Sequence, residues 1–527
     1  MISILTRVKL ISCWLLLFAV SANGWAAPST TNQQIEQTIL AAMKTFQVPG
    51  VAVAIVKDNQ VLMAKGFGVT QLGTQQKVTA DTLFGIASNT KAMTSAILAS
   101  LVDQGKLTWQ TKVTDIIPTF QLYDPWVTRE FRILDLLSHN SGLGLGAGDL
   151  MIWPETQLSI SDIIKRMRYL HPVSSFRSEF AYDNLMFIVA GQIIEKITGK
   201  PWQKVIQQRI FTPLKMHNTR AKFSLIPSSN HNVARAHVPL NGQLHVVGGD
   251  FLENFSSAGA VASSVNDMSQ WLKLQLNHGE ITESGKQYRL FSAIQGEQMW
   301  RPHTLIPVSK MATKIDKTHF SAYGLGWFLN DYHGYKMVHH SGGILGMVSK
   351  VVLIPEAKLG IVILTNQQSG YAFNAIYHDI LNRYLKLPAR DWVAFYAKLQ
   401  QQRLTKEHAR LAKLQANVAV HSTPSLPLSG YTGTYHDAWY GDVSIIEQQG
   451  KLVMKFSNTS ALQGELTHYQ YNTFIVHWHD KTLTADAYVN FNLSIDGKVS
   501  KITMQPVSTL TDFSFDFQDL RLMRKDN

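Results

Sequence analysis

The sequence predicts an α+β protein: an antiparallel sheet flanked by helices, interrupted by a long helical subdomain and followed by a small all-β domain. Three observations carry this. Apolar residues at helical spacing over 32–46 (Ile35, Ile39, Leu40, Met43) lead through Val48-Pro49-Gly50 into two β-patterned stretches, 51–56 and 61–69. Comparable strand patterning returns at 323–328, 336–340, 348–354 and 359–365, as though one sheet is begun early and completed late. From residue 431 onward short β-runs alternate with turns, which suits a small barrel or sandwich.

Taken in order, residues 1–26 read as an export signal. Arg7 and Lys9 precede an apolar run over 10–22, and small residues follow at Ala22, Gly24, Ala26 and Ala27. The run is too short to span a bilayer comfortably, and no second one follows, so no stable transmembrane anchor is expected. The protein is expected to be exported, either periplasmic or secreted. Cys13, the single cysteine, lies inside the run rather than at its end, which speaks against lipidation. Cleavage near Ala26 or Ala27 would leave neither a disulfide nor a thiol nucleophile, which excludes a cysteine hydrolase.

The chain of 527 residues, 45% hydrophobic and 16% charged, has room for two or three folding units. Its formal charge of +12 comes from scattered lysines and arginines with no basic run interleaved with aromatics, so nucleic acid is not an expected partner. An acidic cell-envelope polymer is the macromolecular partner that such a charge would suit.

The first hairpin turns at Lys57-Asp58-Asn59-Gln60. A helix is predicted from Lys91 to a stop at Gly105, and residues 107–260 read as mostly helix and loop. Ser264-Val265-Asn266-Asp267 reads as a capping box before a helix over 268–276, and Pro355-Glu356-Ala357-Lys358 as a hairpin turn. A helix over 372–385 packs on the completed sheet, and a charged helical stretch, 390–415, follows it. The expected strands beyond are 441–446, 451–456, 473–478, 485–493, 501–506 and 513–522. The domain reading is a first unit over 30–386, a helical linker over 387–425 and a C-terminal β-barrel-like domain over 426–527.

Three stretches carry chemistry. In Phe84-Gly85-Ile86-Ala87-Ser88-Asn89-Thr90-Lys91, the serine and lysine are three apart at a strand-to-helix junction, so the amine can reach the hydroxyl. A lysine whose pKa is lowered can take the proton that makes a serine nucleophilic, and a helix N-terminus disfavours a second positive charge. Phe180-Ala181-Tyr182-Asp183-Asn184 offers a tyrosine whose pKa is expected to fall beside an ammonium, and an amide that can both donate and accept. His339-His340-Ser341-Gly342-Gly343 ends a strand, where glycines permit close backbone approach and only one of two adjacent histidines can enter a pocket. No metal-ligand spacing such as H-E-x-x-H accompanies them, and no metal or cofactor is called for.

The ordered set Ser-x-x-Lys, Tyr-x-Asn and His-Ser-Gly-Gly resembles the class C β-lactamase-like serine hydrolases, which include penicillin-binding D,D-peptidases, D-aminopeptidases and esterases. Val48-Pro49-Gly50, Leu136-Leu137-Ser138-His139, Ala258-Gly259 and Tyr323-Gly324-Leu325-Gly326-Trp327 extend the likeness over about residues 32–385. The resemblance implies the β-lactamase/transpeptidase-like fold. It implies Ser88 as acylated nucleophile with Lys91 as its base partner, and Tyr182 as the residue activating serine or water. By the same likeness Asn184 contacts the substrate amide, and His340 stands where β-lactamases usually carry a lysine. Ser341, Gly342 and Gly343 then belong to the substrate-binding strand, with Gly343 supplying an oxyanion N–H beside that of Ser88. Tyr431-Thr432-Gly433-Thr434-Tyr435 opens a stretch similar to the lipocalin-like β-domain often appended to these hydrolases.

A neutral histidine in place of that lysine grips a substrate carboxylate less firmly. The expected partner is therefore a small-molecule or peptide substrate: an amide or peptide bearing a D-residue, then a small ester, then a β-lactam. Two alternatives stand beside this: a penicillin-binding or sensor protein that acylates without turnover, and an envelope-binding module carried by the C-terminal domain. The sequence sets no oligomeric state.

Overall fold

The computed structural model describes residues 30–248, 252–283 and 286–525; the segment read as an export signal, 1–26, lies outside them. Eight antiparallel strands form the main sheet. Their spatial order is Gln60–Gly68, Gly50–Lys57, Leu359–Thr365, Met347–Ile354, Tyr335–Ile344, Phe328–Tyr332, Ser321–Tyr323 and Thr304–Leu305. The N-terminal hairpin pairs with the last of these strands in sequence, Val51 lying opposite Thr365. Gly50–Lys57 is buried on both faces, which is why it reads as a continuous apolar run.

Alternation along that strand sorts the layers. Val51, Val53 and Ile55 pack with the helices Thr30–Thr45 and Gly370–Tyr384, whereas Ala52, Ala54 and Val56 join the core of the inserted helices. Among the latter, Thr90–Asp103 is buried at every position up to Leu101, as its run of small and apolar residues requires. No helix among the described residues is long and apolar enough to cross a membrane.

Two readings of the insertion are corrected. The stretch 107–260 also holds a hairpin, Ala236–Leu240 with Gln243–Val247, turned by Asn241-Gly242 with φ of 52° and 77°. That dipeptide is the usual signature of a tight two-residue hairpin turn. At Ser264 only half of the capping box forms: its hydroxyl accepts from Asp267 N, but the Asp267 carboxylate accepts from the backbone of Asn218 and Thr219 instead.

The C-terminal domain is a closed barrel of eight strands, from Gly433–Asp437 round to Leu522–Arg524, closing where Tyr435 faces Arg524. Its interior is filled by side chains such as Tyr435, Val443, Met454, Trp478 and Phe491. The strand expected over 513–522 is not there. Residues 507–521 leave the barrel wall, and a strand forms only at Leu522–Arg524. Between the two units, the helix Trp392–Ala416 is a bracket. Tyr396 Oη lies 3.1 Å from His378 Nδ1 in the helix Gly370–Tyr384, while the Glu407 carboxylate accepts from Ser508 Oγ (2.9 Å), Thr509 N (3.0 Å) and Thr509 Oγ1 (2.6 Å).

Candidate active site

The nucleophile turn begins with strain. Ala87, immediately before Ser88, has φ of 47°, a left-handed conformation that non-glycine residues adopt uncommonly. The turn runs through a short 3₁₀ segment, Ala87–Asn89, into the helix Thr90–Asp103. This sets Lys91 Nζ 3.0 Å from Ser88 Oγ. Lys91 Nζ also donates to Asn184 Oδ1 (2.7 Å) and to the carbonyl of Ala258 (2.9 Å). Those two oxygens are acceptors only, so two N–H bonds are committed. The third tetrahedral position on the nitrogen faces Ser88, where a neutral amine would present its lone pair.

Lys91 is wholly buried, and burial lowers its pKa from 10.5 to about 7, with Asp149 and Asp183 opposing the fall. The helix N-terminus named from sequence is therefore not the leading cause. Burial pushes both of those carboxyls up, Asp149 to about 8 and Asp183 to about 7.

Tyr182 reverses a sequence expectation. Its pKa is raised, because burial of the hydroxyl outweighs the influence of its neighbours. The ammonium of Lys91 lies over the ring face, 5.0 Å from the centroid, rather than beside the oxygen. The hydroxyl is close enough to Ser88 for the serine to bias its ionisation, yet forms no well-directed hydrogen bond. Asn184 has both ends of its amide in use, Oδ1 toward Lys91 and Nδ2 donating to Asp149 Oδ2 at 2.8 Å.

Of the two histidines, His340 faces the site, and His339 lies on the other side against Lys350 and Asn330. His340 Nδ1 is 2.6 Å from the Ser341 carbonyl, which can only accept, so that nitrogen carries the proton. Nε2 then accepts from Tyr323 Oη at 2.8 Å. Both nitrogens are spent inside the protein, and burial lowers the ring's pKa to about 3, so the ring is neutral.

The strand Phe328–Tyr332 pairs with Tyr335–Ile344 only as far as His339, which opens the edge beyond it to the cleft. Ser341 and Gly343 line the cleft there, but Gly342 does not. Its α-carbon packs against the nucleophile turn, and a Cβ on it would fall 2.2 Å from the Ile86 carbonyl oxygen. Glycine is thus required to let the strand approach Ser88.

The cleft holds about 620 Å³. Ser88, Tyr182, Asn184, His340 and Ser341 are on its floor, and apolar side chains such as Leu145, Trp153, Phe180, Phe328 and Ile344 form its sides. The remaining wall comes from the C-terminal barrel: Leu483, Thr484, Leu510, Asp512, Phe513 and Ser514. Among the described residues Asp512 carries the one formal charge on the lining. Phe513 meets the Tyr182 ring edge-on at 6.1 Å, and Ser514 Oγ donates to Asp149 Oδ2 at 2.8 Å. The Asp516 carboxylate accepts from Gly148 N (2.6 Å) and Leu150 N (3.1 Å). Sequence reasoning missed all of these. Asp149 stands alone in a glycine-rich loop, and Ser514 sits in Thr511-Asp512-Phe513-Ser514-Phe515-Asp516-Phe517, whose alternation reads as an ordinary strand.

The profile of the Beta-lactamase family matches residues 35–382, and that of a domain of unknown function, DUF3471, matches 418–524. A protein named unguisins hydrolase ungD' from Aspergillus campestris is 31% identical over 443 residues, 79% of this chain and 78% of its own length. Protein flp of Staphylococcus aureus is 26% identical over 350 residues, 66% of each chain. Among solved structures, an octameric penicillin-binding protein homologue from Pyrococcus abyssi superposes with a TM-score of 0.60 at 20% identity, covering 94% of this chain and all of its own. A class C beta lactamase from Rhodobacter sphaeroides gives 0.54 at 17% identity over 68% of this chain and all of its own. At such identities the two structures speak for the fold.

Proposed function

The chain belongs to the beta-lactamase family of serine hydrolases, and we propose that it is an exported member that cleaves amides, peptides or esters through an ester on Ser88. The observation that carries this is the set of partners around Lys91 Nζ. With two N–H bonds committed to Asn184 and Ala258, the neutral amine can only take its next proton from Ser88.

In the forward step Ser88 Oγ bonds to the substrate carbonyl carbon as its proton passes to Lys91. In this reading the backbone N–H groups of Ser88 and Gly343 hold the oxyanion. The bond to the leaving group then breaks as the leaving atom takes the proton that Lys91 received, the amine being 3.0 Å from Ser88 Oγ. Water repeats the sequence against the acyl ester and restores Ser88. The raised pKa of Tyr182 keeps its hydroxyl protonated, so in this scheme it is a neutral hydrogen-bonding group beside Ser88 rather than the second base expected from sequence. His340 takes no proton and serves as a neutral wall fixed by Tyr323.

The cleft also narrows the substrate. With a neutral His340, and with Asp512 as the one formal charge among the described lining residues, that lining offers no cation for a carboxylate. Apolar acyl groups and neutral or cationic amides and esters suit it: a peptide or amide bearing a D-residue first, a small ester second, a β-lactam last. Similarity to a protein named a hydrolase favours turnover over a sensor that stalls after acylation. The barrel's place in the cleft wall argues against its being only an envelope-binding appendage.

The test is a panel of D-aminoacyl amides, D-Ala-D-Ala peptides, nitrophenyl esters and a chromogenic cephalosporin, run beside Ser88→Ala and followed by intact mass. Turnover of an amide or ester with a transient adduct on Ser88 is expected, with the cephalosporin slow. Turnover retained by Ser88→Ala overturns the assignment.

A further inference from the structure

We propose that the C-terminal barrel acts on the nucleophile through a hydrogen-bond relay running from Ser514 to Asp149 to Asn184 to Lys91, which makes Ser514 and Asp149 positioning residues for acyl transfer. The inference rests on the reading of Ser88 as nucleophile and Lys91 as base.

Four contacts make the relay continuous: Ser514 Oγ to Asp149 Oδ2 at 2.8 Å, Asn184 Nδ2 to the same oxygen at 2.8 Å, Lys91 Nζ to Asn184 Oδ1 at 2.7 Å, and Lys91 Nζ to Ser88 Oγ at 3.0 Å. Its consequence follows from what each group can donate. A carboxamide can present either end to Lys91. Asp149 Oδ2 already accepts from Ser514 Oγ and accepts from Asn184 Nδ2 as well, so it holds the NH₂ end of Asn184 and turns the amide oxygen toward Lys91. If the amide were reversed, its N–H would compete with Ser88 for the lysine lone pair. Asp149 thus sets the orientation in which Lys91 can serve the serine.

What holds Asp149 comes from the barrel. Ser514 donates to Oδ2, the oxygen that Asn184 uses, while Oδ1 is buried without a partner. Asp516 grips the backbone on both sides, at Gly148 and Leu150. Two segments more than 360 residues apart in sequence therefore meet through two carboxyl groups, those of Asp149 and Asp516.

The charges around the relay fix the sign of its effect. Asp149 is faced by Lys91 from the nucleophile helix, by Asp183 and Asn184 from the start of Leu185–Thr198, and by Ser514 and Asp516 from the barrel. Lys91 is faced in addition by His139 and His340, both held neutral by burial, and by Tyr182. The Ser514 hydrogen bond favours the Asp149 carboxylate. Without it Asp149 keeps its proton to higher pH, less negative charge stands beside Lys91, and Lys91 loses its proton at lower pH.

The experiment measures the rate at which a fluorophosphonate labels Ser88, by intact mass, across the pH range on both sides of neutrality. It compares the full-length protein with Ser514→Ala, Ser514→Thr, Asp149→Asn and the double variant Ser514→Ala/Asp149→Asn. The acid limb should move down by less than about one pH unit in Asp149→Asn, because burial raises Asp149 to about 8 and only its ionised fraction is removed, whereas a fully charged neighbour would give one unit or more. Ser514→Ala should move it the same way by less, Ser514→Thr should restore it, and Ser514→Ala should add nothing once Asp149 is asparagine. A profile in Ser514→Ala that overlays the wild type, or a shift that survives in the double variant, overturns the relay whether or not the melting temperature falls. Absence of labelling at Ser88 in the wild type instead overturns the serine-hydrolase assignment, so the two failures are distinguishable.

Discussion

Replacing Lys91 by arginine isolates basicity from charge. With its ordinary value of 10.5, a lysine side chain at pH 7 would be neutral in only about one molecule in 3,000. Lowered to about 7, roughly half the molecules carry the free amine, a gain of about three orders of magnitude in competent base. Arginine in the same place keeps the positive charge and can donate to Asn184 and Ala258, but stays protonated throughout the accessible pH range. The base contribution is then lost, which ordinarily costs about 10²–10⁴ in rate, or about 3–5 kcal/mol of transition-state stabilisation. The assay is the burst of nitrophenolate from a nitrophenyl ester in a stopped-flow instrument, with circular dichroism to verify the fold. Lys91→Arg should lose at least a hundredfold in burst rate, and the acid limb centred near pH 7 should disappear. A folded Lys91→Arg protein that acylates within tenfold of wild type, or keeps that limb, would refute Lys91 as the base.

Three further outcomes follow from the geometry. Gly342→Ala places a methyl 2.2 Å from the Ile86 carbonyl and 2.9 Å from the Ala87 methyl, so the turn bearing Ser88 must shift; acylation should fall by about a hundredfold with the fold retained, read by burst rate and circular dichroism. His340→Gln should leave the pH profile around neutrality unchanged, because a ring held down to about 3 does not titrate there, and the loss of a limb near pH 6 in this variant would show that the histidine does titrate. Removal of residues 425–527 should lower both melting temperature and turnover, since it strips one wall from the cleft, leaves Gly148 N and Leu150 N without their acceptor and takes the Ser514 donor from Asp149; unchanged turnover would show the barrel to be separable.

What the sequence revealed, and what it hid, divides by range. Ser88 and Lys91 are three apart, so helix geometry brings them together without knowledge of the rest of the chain. The sheet was legible because Gly50–Lys57 and Leu359–Thr365 are both continuous apolar runs with turn residues at their ends. The barrel strands Lys451–Phe456 and Thr473–Trp478 follow the same logic, whereas Gln463–Gln470, polar and half-exposed, gave no comparable signal. Tyr182 lies with its ring face under Lys91, and the direction of its pKa depends on burial, which no local pattern records. Asp149, Ser514 and Asp516 were invisible for a related reason. Their meaning lies in contacts between residues hundreds of positions apart, and Phe513, Phe515 and Phe517 imitate a strand while serving an interface.

The same interface bears on why the lysine can be a base at all. Desolvation is the largest influence on Lys91, and a buried amine stays desolvated only while every approach is closed. On the cleft side that closure is the Tyr182 ring, whose face carries the lysine and whose edge is met by Phe513 from the barrel. Behind it stand Asp149 and Asp183, both fully buried, whose pKa values burial raises to about 8 and about 7. Two acids and one amine enclosed together cannot all ionise, because each unpaired charge would bear the full cost of burial. The cluster therefore exchanges protons close to neutrality, as a base that must take a proton from serine and return it in each cycle requires. The barrel, by sealing one side and holding Asp149, contributes to the reactivity of a serine that lies in the other domain.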